Sequence, residues 1–279
     1  KDMDRAVERV LGALASREKI VIYGDYDVDG ITATSLLLLF FRELGADATF
    51  YIPDRTREGY GLHAEALNRL KEEGTQLVIT VDCGISNPEA VLHARSLGLD
   101  VIATDHHEPP DILPPACAVV DPKQRDCPFP FKGLAGVGGA FYLASALRAR
   151  LREKGAFRRR REPDLKAYLD LVALGTIGDV APLREENRVL VRYGLVEMSR
   201  SSRPGIIALK EVCGLSDASI DSQHVAFRLA PRLNAAGRVS RAETGVYLLT
   251  TTDGEEARRL AVCLDQENAR RQRLEGEVL

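Results

Sequence analysis

Three aspartates stand at alternate positions, Asp25, Asp27 and Asp29, where the apolar run Ile20–Tyr23 ends and Gly30 opens a helix-like stretch. Three like charges this close repel one another and cannot be buried unpaired. A divalent cation relieves both problems; exposure to water is the other solution. Three further strand or helix ends carry acidic or imidazole groups. Asp82 follows Leu77–Val81, Asp105-His106-His107 follows Val101–Thr104, and Asp179 follows the apolar stretch around Leu169–Leu174. Alone, each is weak, because an aspartate at a strand end is often a cap or turn residue, and His106-His107 also suits a surface turn before two prolines. Their recurrence at successive element ends points to one shared site.

The donor types speak to the metal. Carboxylates with one or two imidazoles and no thiolate suit Mn²⁺ or Mg²⁺ better than structural zinc. Five or six carboxylates exceed the needs of one ion. Two ions about 3.5–4 Å apart, with one aspartate bridging, would use them all. Such a pair activates water and stabilises charge on a phosphoryl group during in-line displacement, so phosphoester hydrolysis is the favoured reaction class.

These residues need a frame that brings element ends together. Short apolar runs predict strands at Ile20–Gly24, Ala48–Ile52, Leu77–Val81, Val101–Thr104 and Ala118–Val120. Helical patterns fall between them at roughly Gly30–Leu44, His63–Glu73 and Asn87–Leu97. The alternation predicts an α/β fold: a five-stranded, mostly parallel sheet with helices on both faces. Ligands of such sheets bind outside the carboxyl ends of the strands, where the unusual polar residues lie. Beyond about Pro130 the pattern is mainly helical, with helices expected at Ala140–Leu151, Leu165–Ile177, Arg188–Arg200, Ile206–Cys213, Ser222–Leu229 and Ala242–Leu249, then a long connecting helix. The glycines of Gly133–Gly139 look like a phosphate loop but lack a following Lys-Ser/Thr, so close helix packing is the expected reason for them.

In chain order, Asp-Tyr-Asp-Val-Asp-Gly (25–30), Val-Asp-Cys-Gly (81–84), Asp-His-His (105–107) and Gly-Asp-Val-Ala-Pro-Leu (178–183) resemble the four motifs of the DHH phosphoesterase superfamily. The first motif and the segment Ala230 to Arg238 are worded like the RecJ branch, the single-strand-specific 5′→3′ DNA exonucleases. No single motif is specific, but the four together are, and the likeness runs from about Ile20 to the end. The resemblance implies metal ligands Asp25, Asp27, Asp29, Asp82, His106 and Asp179, with Asp82 bridging two Mn²⁺ or Mg²⁺ ions. It also implies that His107 stands behind the ligands or faces the scissile phosphate, with Asp105 orienting the histidines. Relatives outside that branch have His where this chain has Tyr23, so Asp25 is expected to take over that ligand's role.

The implied activity is release of 5′-mononucleotides from single-stranded DNA in repair and recombination. Single-stranded DNA is the implied partner, with a helicase and a single-strand-binding protein beside it. A small-substrate DHH phosphodiesterase is the alternative, and a non-catalytic replication scaffold is disfavoured by the full ligand set. Arg232, Asn234 and Arg238 surround small residues that let a backbone approach while guanidinium groups fork onto phosphate oxygens. They are expected to hold a phosphate; a tight helix-to-loop turn is the other reading. The implied layout is a DHH domain over 1–200, a helical extension with the phosphate-binding segment over 201–252, and a helix over 253–279 leading to a DHH-associated domain, whose Gly-Gly-His motif this sequence lacks.

Composition sets the remaining bounds. A net charge of −3 over 279 residues means that any nucleic-acid site is a local patch. Seven arginines and one lysine against one glutamate between Arg148 and Arg161 are one such patch, or a solvated helix end. Five cysteines, odd in number and without a CxxC pair, fit a reducing cytoplasm rather than a disulfide framework. No apolar stretch approaches a membrane span and no signal peptide is visible. With Lys1 at its start, the chain reads as a fragment of a longer protein.

Overall fold

A computed structural model describes residues 1–239 and 241–278, with side chains over 1–237 and 241–276. Five strands form one sheet: β1 (Lys19–Gly24), β2 (Ala48–Tyr51), β3 (Thr75–Val81), β4 (Asp100–Thr104) and β5 (Ala118–Val120). Their order is β2-β1-β3-β4-β5 and every pairing is parallel. All five lie within two residues of the predicted runs. The first helices are α1 (Met3–Ser16), α2 (Val28–Glu43), α3 (Ala64–Glu72) and α4 (Pro88–Ser96).

The strand period of two explains the layering. Ile20 and Ile22 of β1 join Leu77, Ile79 and Ile102 in a core that includes α1 and α2. Val21 and Tyr23 point the other way and join Val78 and Val101 against α3 and α4. Both faces are thus covered, and β1, β3, β4 and β5 read as apolar runs because neither face meets water, while the edge strand β2 keeps Thr49 exposed. Chain order reverses between β1 and β3, so their carboxyl ends open the crevice where such sheets hold ligands.

The helical half comprises α5 (Gly136–Glu153), α6 (Leu169–Gly178), α7 (Glu185–Ser199), α8 (Pro204–Val212), the short α9 (Ser222–His224), α10 (Ala230–Val239), α11 (Glu243–Thr250) and α12 (Gly254–Val278). The large core runs from Ala6 on α1 through α2, α5 and α6 to Leu264 on α12. Three sequence expectations are corrected here. Helix α1 is absent from the sequence reading, although Ala6, Val7, Val10 and Ala13 bury one face at helical spacing. The helix expected at Ser222–Leu229 is a single α-turn followed by a π-helical turn at Val225–Leu229. The segment Arg232–Arg238 lies inside α10 and is not a turn.

Candidate metal centre

The three aspartates of the first motif differ because the chain changes from strand to helix as it passes through them. Asp25 follows β1 with its carboxylate buried, and its Oδ1 has no hydrogen-bond partner. Asp27 is the N-cap of α2, its Oδ1 accepting from the amides of Asp29 at 2.9 Å and Gly30 at 3.0 Å. Asp29 stands in the first turn, wholly buried, and accepts from the first amides of α5: Gly136 at 2.5 Å and Val137 at 2.9 Å. The glycine-rich segment therefore does end in an anion-binding helix N-terminus, and the anion is the protein's own carboxylate.

Asp82 follows β3 in left-handed backbone, with φ of 60°, which is costly for most residues and least so, after glycine, for Asn and Asp. This turn puts its carboxylate into the crevice, 2.9 Å from Nε2 of His106, which follows β4. Asp29 Oδ2 is 3.7 Å from the same nitrogen, and Asp179 Oδ2 is 4.0 Å from the Nδ1 of His106. Asp179 arrives from a helix end, capping α6.

Two ligand groups emerge. Asp29, His106 and Asp179 each offer one donor atom within 4.8 Å of the others, and so do Asp25, Asp27 and Asp82. Asp82 also groups with His106 and His107, so it stands between the two sets. Asp25 Oδ1 is buried without a hydrogen-bond partner, and Asp82 Oδ1 and His106 Nε2, although 2.9 Å apart, make no hydrogen bond to each other or to any other group. Orphaned polar atoms of this kind are rare in folded proteins, and a hard divalent cation is the partner that an oxygen-rich donor set fits.

The titration pattern agrees. Burial, reinforced by Asp27, lifts Asp25 to about 7 and Asp179 to about 6. Asp29 and Asp82 are pushed up by burial and by neighbouring carboxylates. The two histidines move in opposite directions. Burial, aided by His107, lowers His106 to about 4, so its imidazole is neutral and able to bind metal at neutral pH. His107 is raised, chiefly by its hydrogen bond to Asp105.

Asp105 is the organiser of this pair. Its Oδ1 accepts from the amides of His106 at 2.8 Å and His107 at 3.2 Å and lies 2.7 Å from His107 Nδ1; its Oδ2 accepts from Ile85 at 2.9 Å. Burial alone would raise this carboxyl, but the His107 ring and the amides hold it below the ordinary carboxylate range. Asp105→Asn is expected to lower the pKa of His107 and to slow catalysis about 10–100-fold, the usual loss when an orienting partner goes. An NMR titration of the His107 ring checks the first effect.

The phosphate-binding expectation divides. Asn234 lies at the site, accepting from the amide of Val28 at 2.8 Å and lining a cavity of about 310 Å³ with Asp25, Tyr26, Asp27, Arg55, Gly178 and Asp179. Arg232 is not among the lining residues. It holds Asp265 on α12 at 2.8 Å and donates to the carbonyl of Arg228. The side chain of Arg238 lies outside the described residues. The cation brought to the cavity is Arg55, stacked over the Tyr26 ring at 5.1 Å to its centroid. It sits in the loop after β2, where only its position past a strand end marks it. A larger cavity of about 510 Å³ shares Tyr26 and Arg55 and adds Arg57, Arg69 and Arg241. Tyr23 is buried and turned away from the cluster, donating its hydroxyl to the carbonyl of Gly61.

The DHH family, N-terminal domain, matches residues 19–176. The single-stranded-DNA-specific exonuclease RecJ of Bacillus subtilis is 45% identical over 278 residues, and that of Escherichia coli is 46% identical over 277. This chain spans 34% and 48% of the length of those two proteins. A crystal structure of exonuclease RecJ bound to manganese matches with a TM-score of 0.89 and 40% identity, covering all of this chain and 68% of that one. Thermus thermophilus RecJ in complex with Mn²⁺ matches at 0.85 and 38% identity, with all of this chain and 39% of that one covered.

Proposed function

Because the chain belongs to the DHH family and to its RecJ branch, we propose that it is the catalytic core of a metal-dependent exonuclease that degrades single-stranded DNA from the 5′ end to 5′-mononucleotides. The observation that carries this reading is the pair of ligand groups meeting at Asp82. Asp25, Asp27 and Asp82 would hold one ion. Asp29, His106 and Asp179 would hold the other, with Asp82 between the two. Mn²⁺ or Mg²⁺ bound there supplies charge neutralisation at the phosphoryl group and activation of water.

The chain's own residues do the rest. His106 stays neutral and ligates. His107 is fixed through Nδ1 by Asp105, which leaves Nε2 as a donor for a phosphate oxygen. Arg55, kept in place by Tyr26, binds a phosphate beside the carboxylates, and Asn234 lines the same cavity. A cavity of about 310 Å³ is at the small end for ligand sites and suits one nucleotide unit. Cytoplasmic location is proposed on the five cysteines, all thiols. Among the described residues no helix is long and apolar enough to cross a membrane. A helicase and a single-strand-binding protein as partners of the whole protein rest on the family resemblance alone.

The test compares substrates. With Mn²⁺, a 5′-labelled single-stranded oligonucleotide is expected to lose mononucleotides, while a duplex, cyclic dinucleotides and pyrophosphate are left intact. Preference for either small substrate would replace this reading with the small-substrate phosphodiesterase.

A pH prediction follows from the carboxylates. Asp25 and Asp179 have folded values near 7 and 6, above the ordinary value near 4, so the metal-free fold holds protons that the unfolded chain releases. Their raised values favour the metal-free fold at low pH, and that contribution is lost as pH rises through about 6–7. Cations must displace the same protons, so affinity rises over the same window, by at most about tenfold per pH unit for each proton displaced. Thermal melts at pH 5 and 8, with and without Mn²⁺, check both signs: the metal-free melting point falls with pH, and the Mn²⁺-induced rise grows.

A further inference from the structure

Tyr23 and Tyr60 are the two tyrosines near the site that the mechanism leaves unused. Tyr23 ends β1 on the face away from the carboxylates, its ring against Tyr51 at 5.1 Å. Its hydroxyl donates to the Gly61 carbonyl at 3.0 Å and so pins, from below, the loop between β2 and α3. The same loop is held from the side, where the Leu62 amide donates to Asn87 Oδ1. Gly59 and Gly61 have φ of 85° and 92°, a left-handed bend that only glycine adopts readily. Between them, Tyr60 is carried over the metal centre. Its Oη lies 3.2 Å from the carbonyl oxygen of Asp82 and 3.2 Å from Nδ1 of His107, with the two rings edge to face at 5.8 Å.

The proton count closes. The single Tyr60 proton is donated to the Asp82 carbonyl. The His107 Nδ1 proton goes mainly to Asp105 at 2.7 Å, and the Tyr60 oxygen accepts its weaker branch. One hydroxyl therefore grips two residues from different strands. Asp82 is held in left-handed backbone at the end of β3, and the His107 ring is held just past the end of β4.

We infer that Tyr60 is a positioning residue of the metal centre: its hydroxyl fixes the Asp82 backbone and the His107 ring together, through a loop that Tyr23 anchors. The kinetic part rests on the function proposed above, so the test includes a readout that does not. In the Mg²⁺-loaded chain, Tyr60→Phe keeps the ring and removes only the hydroxyl. The His107 Nδ1 proton is expected to exchange with solvent at least about tenfold faster by NMR, with the other four histidines unchanged. Turnover of single-stranded DNA is expected to fall about tenfold in kcat, within the range for loss of an orienting partner, with KM moving less than twofold. Tyr23→Phe should give a smaller change of the same kind, and the double variant should match Tyr60→Phe alone, because both act along one path. An unmoved His107 signal in Tyr60→Phe overturns the inference whatever the activity. So does a loss confined to KM, which would make Tyr60 a substrate contact. If the wild-type chain does not cleave DNA, the function fails and the NMR result still decides the positioning.

Discussion

Asp82→Asn is expected to leave a protein that folds at least as well as the original without metal and has lost its nuclease. Asparagine matches the shape of aspartate and tolerates the left-handed backbone that Asp82 adopts. What it removes is one buried carboxylate from a group in which Asp29, Asp27 and Asp25 all push its pKa upward. Each of those neighbours is relieved, so the metal-free melting point at pH 8 should rise. The cation loses the one carboxylate that lies between both ligand groups. Mn²⁺-dependent nucleotide release should fall by about 10³-fold or more, the scale on which a site loses its central charge-stabilising group. Opposite signs distinguish a functional residue from a structural one, since sites that strain the fold trade stability for activity. Calorimetric melts together with release of label from a 5′-labelled strand read both. Unchanged release would end the two-metal reading.

The sequence made the sheet and the candidate ligand set legible because both are written locally. The strands inside the sheet are buried on two faces and so appear as unbroken apolar runs, and Asp25, Asp82 and His106 each follow such a run within three residues. Less legible was what each carboxylate does. Alternate spacing makes Asp25, Asp27 and Asp29 look alike, yet the strand-to-helix change gives them three different jobs: an orphaned buried carboxylate, a helix cap, and a tie to α5. The partners of Asp29 lie more than a hundred residues away, and no spacing rule reaches that far.

The same limit explains the phosphate-binding segment. Arg232 and Asn234 look equivalent in sequence, but a helix sends side chains two positions apart to different faces. Asn234 thus meets the amide of Val28 while Arg232 meets Asp265. Arg55 and Tyr60 lie in a loop whose mixed charges, Asp54, Arg55, Arg57 and Glu58, look like an ordinary solvated turn, and only the fold brings that loop to the strand ends. Helix α1 is a different case. Its apolar positions were visible in the sequence, and its burial against α5 and β5 rewards reading the periodicity there.

Gly136→Ala is the complementary experiment, because it removes no ligand and should still damage the site. A Cβ at Gly136 would lie 2.7 Å from the Asp82 Cβ, 3.1 Å from the Asp82 Cα and 3.0 Å from Asp29 Oδ2. Asp82 sits at a strand end in left-handed backbone and cannot retreat, so the start of α5 must lift away. Lifting stretches the bonds from the amides of Gly136 and Val137 to Asp29, which is wholly buried and would be left with poorer partners. Overpacking of this kind costs about 1–3 kcal/mol. Displacing the support of a ligand is expected to weaken Mn²⁺ binding about 10–100-fold. Gly139→Ala is the control, in the same first turn of α5 but with nothing within 4 Å of its added carbon. Removing a glycine from a helix there should stabilise the chain by about 0.5–1 kcal/mol and leave Mn²⁺ affinity as it was. Denaturant unfolding and Mn²⁺ titration calorimetry on both variants separate the outcomes. If the two alanines behave alike, contact between α5 and the carboxylates does not hold the centre together, and Asp29 must be positioned by α2 alone.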